Sequence, residues 1–182
     1  MVTPEKSKLY TMEEFLEFAL RPENADREFE LINGEISAVM PSRTCNSGIG
    51  LIIATAVRPF CRECQSPCYM SGEAGAYRIG SNVVVPDFAY KRTPLSKACP
   101  DPDPPLWVVE VRSPTDEPGD IEKKRKVYRR AGIRLWEIDP EQQIVDVYAP
   151  GKKKRTFRLN DTLDGGNVLP GFKLPVRELF TG

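Results

Sequence analysis

Two stretches decide how this chain folds: Val83–Tyr90, VVVPDFAY, and Leu106–Pro114, LWVVEVRSP. Each is a run of β-branched and aromatic residues bounded by Pro or Gly, the signature of a strand. From Leu106 to Val111 every residue but Glu110 is apolar, a pattern that describes a strand buried on both faces. A carboxylate there needs an explanation, because burying one without a partner costs several kcal/mol. Asp87 poses the same problem directly after Pro86. Proline cannot donate to a β-ladder, so this strand is an edge or bends just before the acid. Aimed at one point from neighbouring strands, Asp87 and Glu110 would supply the hard oxygen ligands that Mg²⁺ takes. Paired separately with Arg or Lys, they would only stabilise the sheet. On these residues alone both readings stand.

The next segment, from Ile121 to Ala131, is helical in pattern, after an acidic turn from Asp116 to Asp120. Helical periodicity puts Ile121, Lys124, Tyr128 and Ala131 on one face with Val127 at its margin, while Lys123, Lys126, Arg129 and Arg130 point away. An amphipathic helix needs only Leu or Ala at position 124. The lysine either snorkels to the surface or brings its ammonium to the carboxylates of the preceding strands. The second reading accounts for the buried acids and the inward lysine together.

The 182 residues suit one domain, 1–182, with a sizeable core. A hydrophobic share of 40% and a charged share of 29% are those of an ordinary globular protein. No apolar run is long enough to cross a membrane and the N-terminus has no signal-like apolar segment, so the expected location is the cytoplasm. The five cysteines are then expected as reduced thiols. The sequence holds no histidine, which excludes Ser-His-Asp and Cys-His hydrolases and His-ligated zinc. Any chemistry must use carboxylates, Lys, Arg, hydroxyls, thiols or an oxygen-bound metal. Net charge is zero, but the basic residues gather in Lys123–Arg130, KKRKVYRR, and Lys152–Arg158, KKKRTFR. Such stripes can track phosphates, and a solvated helix face or hairpin edge would look the same.

Elsewhere the signals are local. Thr11 and Glu14 form a capping box opening the helix TMEEFLEFAL. Asn33-Gly34 turns a hairpin of type I′. Asn46 or Ser47 caps a second helix that breaks near Pro59. Cys68–Tyr90 suggests two strands, the second carrying Asp87, and the proline-rich segment Lys91–Pro105 reads as a mobile loop. The strand RLWEID, a hairpin turning at Pro150-Gly151 and a tail ending in a short helical turn complete the chain. The order of elements predicts an α/β or α+β fold, a mixed central β-sheet flanked by helices.

The segments FELINGE, PDFAY, PPLWVVEVRSP, EKKRKVYRRAGIRLWEIDP and VLPGF, in this order, resemble the putative restriction endonuclease family of the Uma-two type, within the PD-(D/E)XK nuclease superfamily. The resemblance runs from about Tyr10 to Phe180. It implies an α/β fold with a restriction-endonuclease-like core, with Asp87 as the Asp and Glu110 as the D/E of the motif. The superfamily's lysine normally follows two residues later, where this chain has Arg112. In this family it is commonly displaced to the next helix, four residues before a Tyr, which here is Lys124 before Tyr128. Glu30 in FELINGE would add a further carboxylate, and Asn46 stands where the family often has a His.

The implied activity is Mg²⁺-dependent hydrolysis of DNA phosphodiester bonds, with Mn²⁺ as a possible substitute, by an enzyme acting as a homodimer. The ion would be held by Asp87, Glu110 and the carbonyl of Val111. Arg112 would face the phosphate or serve as a partner for a nearby acid. The competing reading is a non-catalytic nuclease-fold protein that binds nucleic acid or a protein. Cys61, Cys64 and Cys68, with Cys45 or Cys99, offer a weak zinc or iron–sulfur pattern. Trp107 and Trp136 are expected in the core rather than as base-stacking platforms.

Overall fold

The computed structural model describes residues 8–114, 116 and 118–181. Helix α1, Met12–Ala19, begins with the expected capping box. The Thr11 hydroxyl accepts from the Glu14 N–H at 3.2 Å and the Glu14 carboxylate accepts from the Thr11 N–H at 2.9 Å, so two otherwise orphaned donors are satisfied. Strands β1, Phe29–Ile32, and β2, Glu35–Ala38, form a hairpin. At its turn Asn33 and Gly34 have φ of +53° and +85°, as a type I′ turn requires.

Helix α2, Thr44–Glu63, differs from expectation at both ends. It starts at Thr44 with no side-chain cap from Asn46 or Ser47, and it runs through Pro59. Proline in a helix interior costs ~3 kcal/mol. Here the apolar row Ile49, Ile53, Val57 and Cys61 is buried on both sides of Pro59, and that packing outweighs the lost hydrogen bond.

Where two strands were expected between Cys68 and Tyr90 there are four: β3, Tyr69–Gly72; β4, Tyr77–Ile79; β5, Asn82–Val84; and β6, Phe88–Lys91. Strand β7, Trp107–Val111, is followed by helix α3, Pro118–Arg130, and by β8, Arg134–Asp139. The hairpin β9, Ile144–Tyr148, and β10, Arg155–Phe157, comes next. A second small hairpin that the sequence did not announce follows, β11, Thr162–Asp164, with β12, Lys173–Pro175, before a closing 3₁₀ turn, Val176–Phe180. Helix α3 starts three residues earlier than its charge pattern suggested, and Ala131 falls beyond its end and is exposed.

The strands form a mixed six-stranded sheet in the order β10-β9-β8-β7-β6-β3 and a four-stranded sheet in the order β2-β1-β5-β4. In the larger sheet β7 and β8 are parallel and the other neighbours antiparallel. A parallel pair needs a crossover, and α3 supplies it. The mixed α/β architecture expected from the element order is the one observed.

Side chains alternate across β7. Trp107, Val109 and Val111 belong to a core with α2 and the C-terminal turn. Val108 belongs to a second core with Val127 and Tyr128 of α3. Glu110 shares the parity of Val108, so it faces α3. Trp107 and Trp136 are fully buried with ring centroids 4.4 Å apart, members of the core as expected. Strand β6 lies between β7 and β3, so Pro86 marks a bend into an internal strand and not an edge.

The proline-rich segment is tied down rather than mobile. Lys91, 1% exposed, places its ammonium 2.9 Å from Asp101 and 3.0 Å from Asp103. Asp101 also accepts the N–H groups of Ser96 and Asp103, and its own backbone bonds Ala76 and Arg78 beside β4. Among the described residues no helix is long and apolar enough to cross a membrane.

Stripping the carboxylate from Asp101 leaves the Lys91 ammonium buried with half its compensation. Asp101→Ala is expected to lose about 3 kcal/mol in urea unfolding; a loss below about 0.5 kcal/mol, the range of ordinary surface substitutions, would refute this account of the loop.

Candidate active site

The site is organised around Lys124, midway along α3. Its ammonium lies 2.8 Å from Oε2 of Glu110 on β7 and 2.9 Å from Oε1 of Glu30 on β1. One turn further along α3, the Tyr128 hydroxyl donates to Oε1 of Glu110 at 2.5 Å. The Val85 N–H donates to Oε1 of Glu30 at 2.7 Å, fixing that side chain from the β5–β6 bend. In the same bend Asp87 has the parity of Ala89, on the α3 side of the sheet, and its Oδ2 accepts the Val111 N–H at 2.6 Å. The inward lysine therefore meets the buried acids and does not snorkel to solvent.

Glu30, Asp87, Glu110, Val111, Arg112 and Lys124 all line one cleft of about 330 Å³. The β2–α2 connection, Val39 to Ser42, forms part of its wall. The sequence reading thus brought together six residues that the fold does gather. Arg112, however, spends its donors on acids. Its Nε bonds Glu137 at 2.8 Å, a second guanidinium nitrogen bonds the same carboxylate, and a third lies 3.4 Å from Asp139. Of the two roles open to Arg112, this contact set is that of a partner for acids.

Glu137 was missed. It is 2% exposed and also takes two hydrogen bonds from Arg125, each 2.8 Å. The signal was present, since RLWEID is as apolar around its Glu as LWVVEV, and Glu137 sits directly beside Glu110 in the β7–β8 register. Gly50 of α2 was also missed. A Cβ at that position would sit 3.1 Å from the Asp87 carbonyl oxygen, so glycine lets α2 pack closely behind the acid. Asn46 is buried and its amide donates to the Arg112 carbonyl at 3.2 Å.

Charge in the cleft is unevenly compensated. Burial pushes Asp87 up to about 6; the Val111 N–H and the Lys124 charge pull it down, while Glu73 and Asp116 push it further up. Burial also raises Glu110 to about 8, against the pull of Lys124 and with added repulsion from Asp87 and Glu30. Burial alone would lower Lys124, but Glu110 and Glu30 hold it above its ordinary value, so it keeps its proton. Tyr128 is raised well above its ordinary value by burial and then by Glu110, so it remains a hydroxyl donor.

Three carboxyl groups share one ammonium, and this excess of negative charge suits a divalent cation. Asp87, Glu110 and the Val111 carbonyl are hard oxygen donors of the kind Mg²⁺ takes while retaining several waters. Among the described residues no group of three or more Cys, Asp or Glu is arranged as a metal cage, so an ion here would rely on two acids, a carbonyl and water.

The other candidates separate from the site. All five cysteines are free thiols, and the C-x₂-C-x₃-C run builds no cluster among the described residues. Cys61 is buried and its thiol is pushed up to about 12 by burial and by Cys68, which leaves it inert. In the basic stripe, Lys123 is not free on the outer face: its ammonium bridges Glu35 at 2.5 Å and Asp120 at 3.2 Å, tying α3 to β2. Lys126 pairs with Glu122 at 2.7 Å, and Arg129 and Arg130 are exposed.

Comparison with known proteins bears on this arrangement. The family model Uma2, described as "Putative restriction endonuclease", matches residues 12–177. Among solved structures, the chain resembles a crystal structure of a putative nuclease belonging to DUF820 from Anabaena variabilis ATCC 29413. The TM-score is 0.74 at 24% identity, covering 93% of this chain and 97% of that one; this likeness concerns the fold. No curated protein matches the chain.

The two raised acids set a pH dependence. A carboxyl whose folded pKa lies above its unfolded value contributes stability below the unfolded pKa and loses it as pH rises through the folded one. For Asp87 and Glu110 that loss falls between about pH 4 and pH 8. Asp87→Asn keeps an acceptor for the Val111 N–H and removes the charge. It should therefore stabilise the metal-free protein at pH 8 by about 1–3 kcal/mol, with little gain at pH 4. Urea unfolding in EDTA reads both; a variant less stable than wild type at pH 8 would contradict the electrostatics.

Proposed function

The chain belongs to the putative restriction endonuclease family Uma2, and on that premise we propose that it is a Mg²⁺-dependent endonuclease hydrolysing DNA phosphodiester bonds. The observation that carries the reading is the ammonium of Lys124 held between Glu30 and Glu110 in the cleft that Asp87 also lines. Lys91 also sits between two acids, but beside Lys124 a third carboxyl, Asp87, lies in the same cleft, which leaves the cleft short of positive charge and open to a cation and a phosphate.

Asp87, Glu110 and the Val111 carbonyl would hold the ion. Bound there, Mg²⁺ supplies Lewis-acid polarisation of a phosphoryl oxygen and lowers the pKa of a coordinated water. The chain's own groups do the rest. Lys124, kept protonated, stabilises negative charge developing on the phosphoryl oxygens or orients the attacking water. Tyr128 and the Val111 N–H fix Glu110 and Asp87, so the acids need no reorganisation. Glu30 orients Lys124 from the opposite side. Arg112 and Arg125 neutralise Glu137 in the cleft wall and keep a further negative charge from reaching the phosphate. A homodimer would place two such sites on two strands.

The competing reading, a non-catalytic nuclease fold that binds nucleic acid or a protein partner, rests on both Glu110 oxygens already having internal donors. Nicking of supercoiled plasmid separates the two. Wild type should nick with Mg²⁺ or Mn²⁺ and not in EDTA, and Asp87→Ala should be inactive. Lys124→Met unpairs two buried acids, so it should unfold more readily by about 3 kcal/mol and, assayed while folded, cut roughly 100-fold more slowly. Lys173→Met, at an exposed position on β12 outside the cleft, should cut at the wild-type rate. Wild-type nicking by Asp87→Ala would remove the proposal.

A further inference from the structure

The two basic runs, separated by more than twenty residues of chain, come together on the far side of α3. Lys126, Arg129 and Arg130 on the outer face of that helix form one wall of a groove of about 410 Å³, and Lys152 in the β9–β10 turn stands on the other. Tyr148 and the Pro150-Gly151 turn also line it, and among the described residues no acidic one does. Among the described residues, Lys126 alone of the four cations is in an ion pair, with Glu122. Arg129 and Arg130 complement the C-terminal end of α3. Lys152 belongs to a turn and has no such reason to be there.

The groove adjoins the cleft. Arg125 lines the cleft, and its guanidinium lies 5.1 Å from the centroid of the Tyr148 ring, which lines the groove. This stacked pair is the partition between the two depressions. Since two of its guanidinium nitrogens already bond Glu137, Arg125 is a fixed wall, and the groove's cations lie beyond it.

We propose that this groove is a docking track for the phosphodiester backbone of the nucleic acid, holding the duplex flank beside the cleft without reading its bases. The assignment rests on the nuclease reading for the identity of the polyanion. It adds a second contact surface, built from α3 and the β9–β10 turn, that no residue of the cleft shares. Arginine and lysine on two facing walls, with no acid between them, fit a continuous polyanion better than a single carboxylate ligand.

The test measures binding of a fluorescent 30-base-pair duplex in EDTA, where no cutting occurs, across a series of NaCl concentrations. The groove variant Arg129→Gln/Arg130→Gln/Lys152→Gln is compared with Arg58→Gln/Arg62→Gln/Lys173→Gln, which removes three exposed cations elsewhere. All six side chains are exposed, and thermal melting checks that each variant folds. Each phosphate contact contributes about 0.9 to the slope of log affinity against log salt, so the groove variant should have a slope flatter by roughly 2–3 and affinity at low salt reduced by tenfold or more. The control variant should bind as wild type does. Equal losses in both variants would reduce the effect to overall charge, and an unaltered groove variant, or a wild type that does not bind duplex at low salt, would overturn the track.

Plasmid nicking keeps the two proposals apart. Salt-sensitive binding through the groove by a protein that never cuts leaves the track standing and removes the nuclease. Normal cutting and binding by the groove variant does the reverse.

Discussion

The fold depends on one mostly buried cation. The Lys124 ammonium joins α3 to β1 on one side and to β7 on the other, so it couples the small sheet, the large sheet and the crossover helix at a single atom. None of the three partners is tolerable alone, since an unpaired charge in a mostly dry site costs several kcal/mol. Together they fix how the β1–β2 hairpin sits against the large sheet. The Glu30 carboxylate extends the tie to the β5–β6 bend through the Val85 N–H, which is the bend that presents Asp87.

Glu110 and Glu137 are neighbours in the parallel register, and their surroundings are opposite. Glu137 receives two guanidinium groups and is fully compensated. Glu110 shares a single ammonium with Glu30, faces Asp87, and has its remaining oxygen held by a neutral phenol. One acid stabilises the sheet and the other is held at a cost, and it is the under-compensated member of such a pair that points to chemistry. The contrast also accounts for Arg112. It follows Glu110 by two residues but leans across the strand boundary to Glu137 and Asp139, so its charge is spent on the neighbouring strand.

What the sequence disclosed was chemistry that is local or periodic. Thr11 and Glu14, Asn33-Gly34, the RLWEID strand and the inward face of Lys124 each depend on residues within a turn or two of one another, and each appears as read. What it hid depends on partners distant in the chain. Pro59 continues a helix because the core on both sides holds it. The Lys91–Pro105 segment is fixed by a lysine at one end and an aspartate near the other, a pairing that no local pattern announces. Glu137 went unnoticed although its strand carries the same anomaly as Glu110, because without the register nothing set the two acids side by side.

The turn that contributes Lys152 also leads into β10, an outer strand of the six-stranded sheet. An outer strand leaves a row of backbone donors and acceptors open to a neighbouring molecule. Here that border carries Lys152, Lys153, Lys154 and Arg155 in succession, with Lys154 anchored on Asp146 and the Arg155 guanidinium 4.7 Å from the Phe157 ring centroid. A strand added along this border would have to approach that run of cations, so the sheet resists lengthening from this side and the border is a poor template for fibril-like stacking.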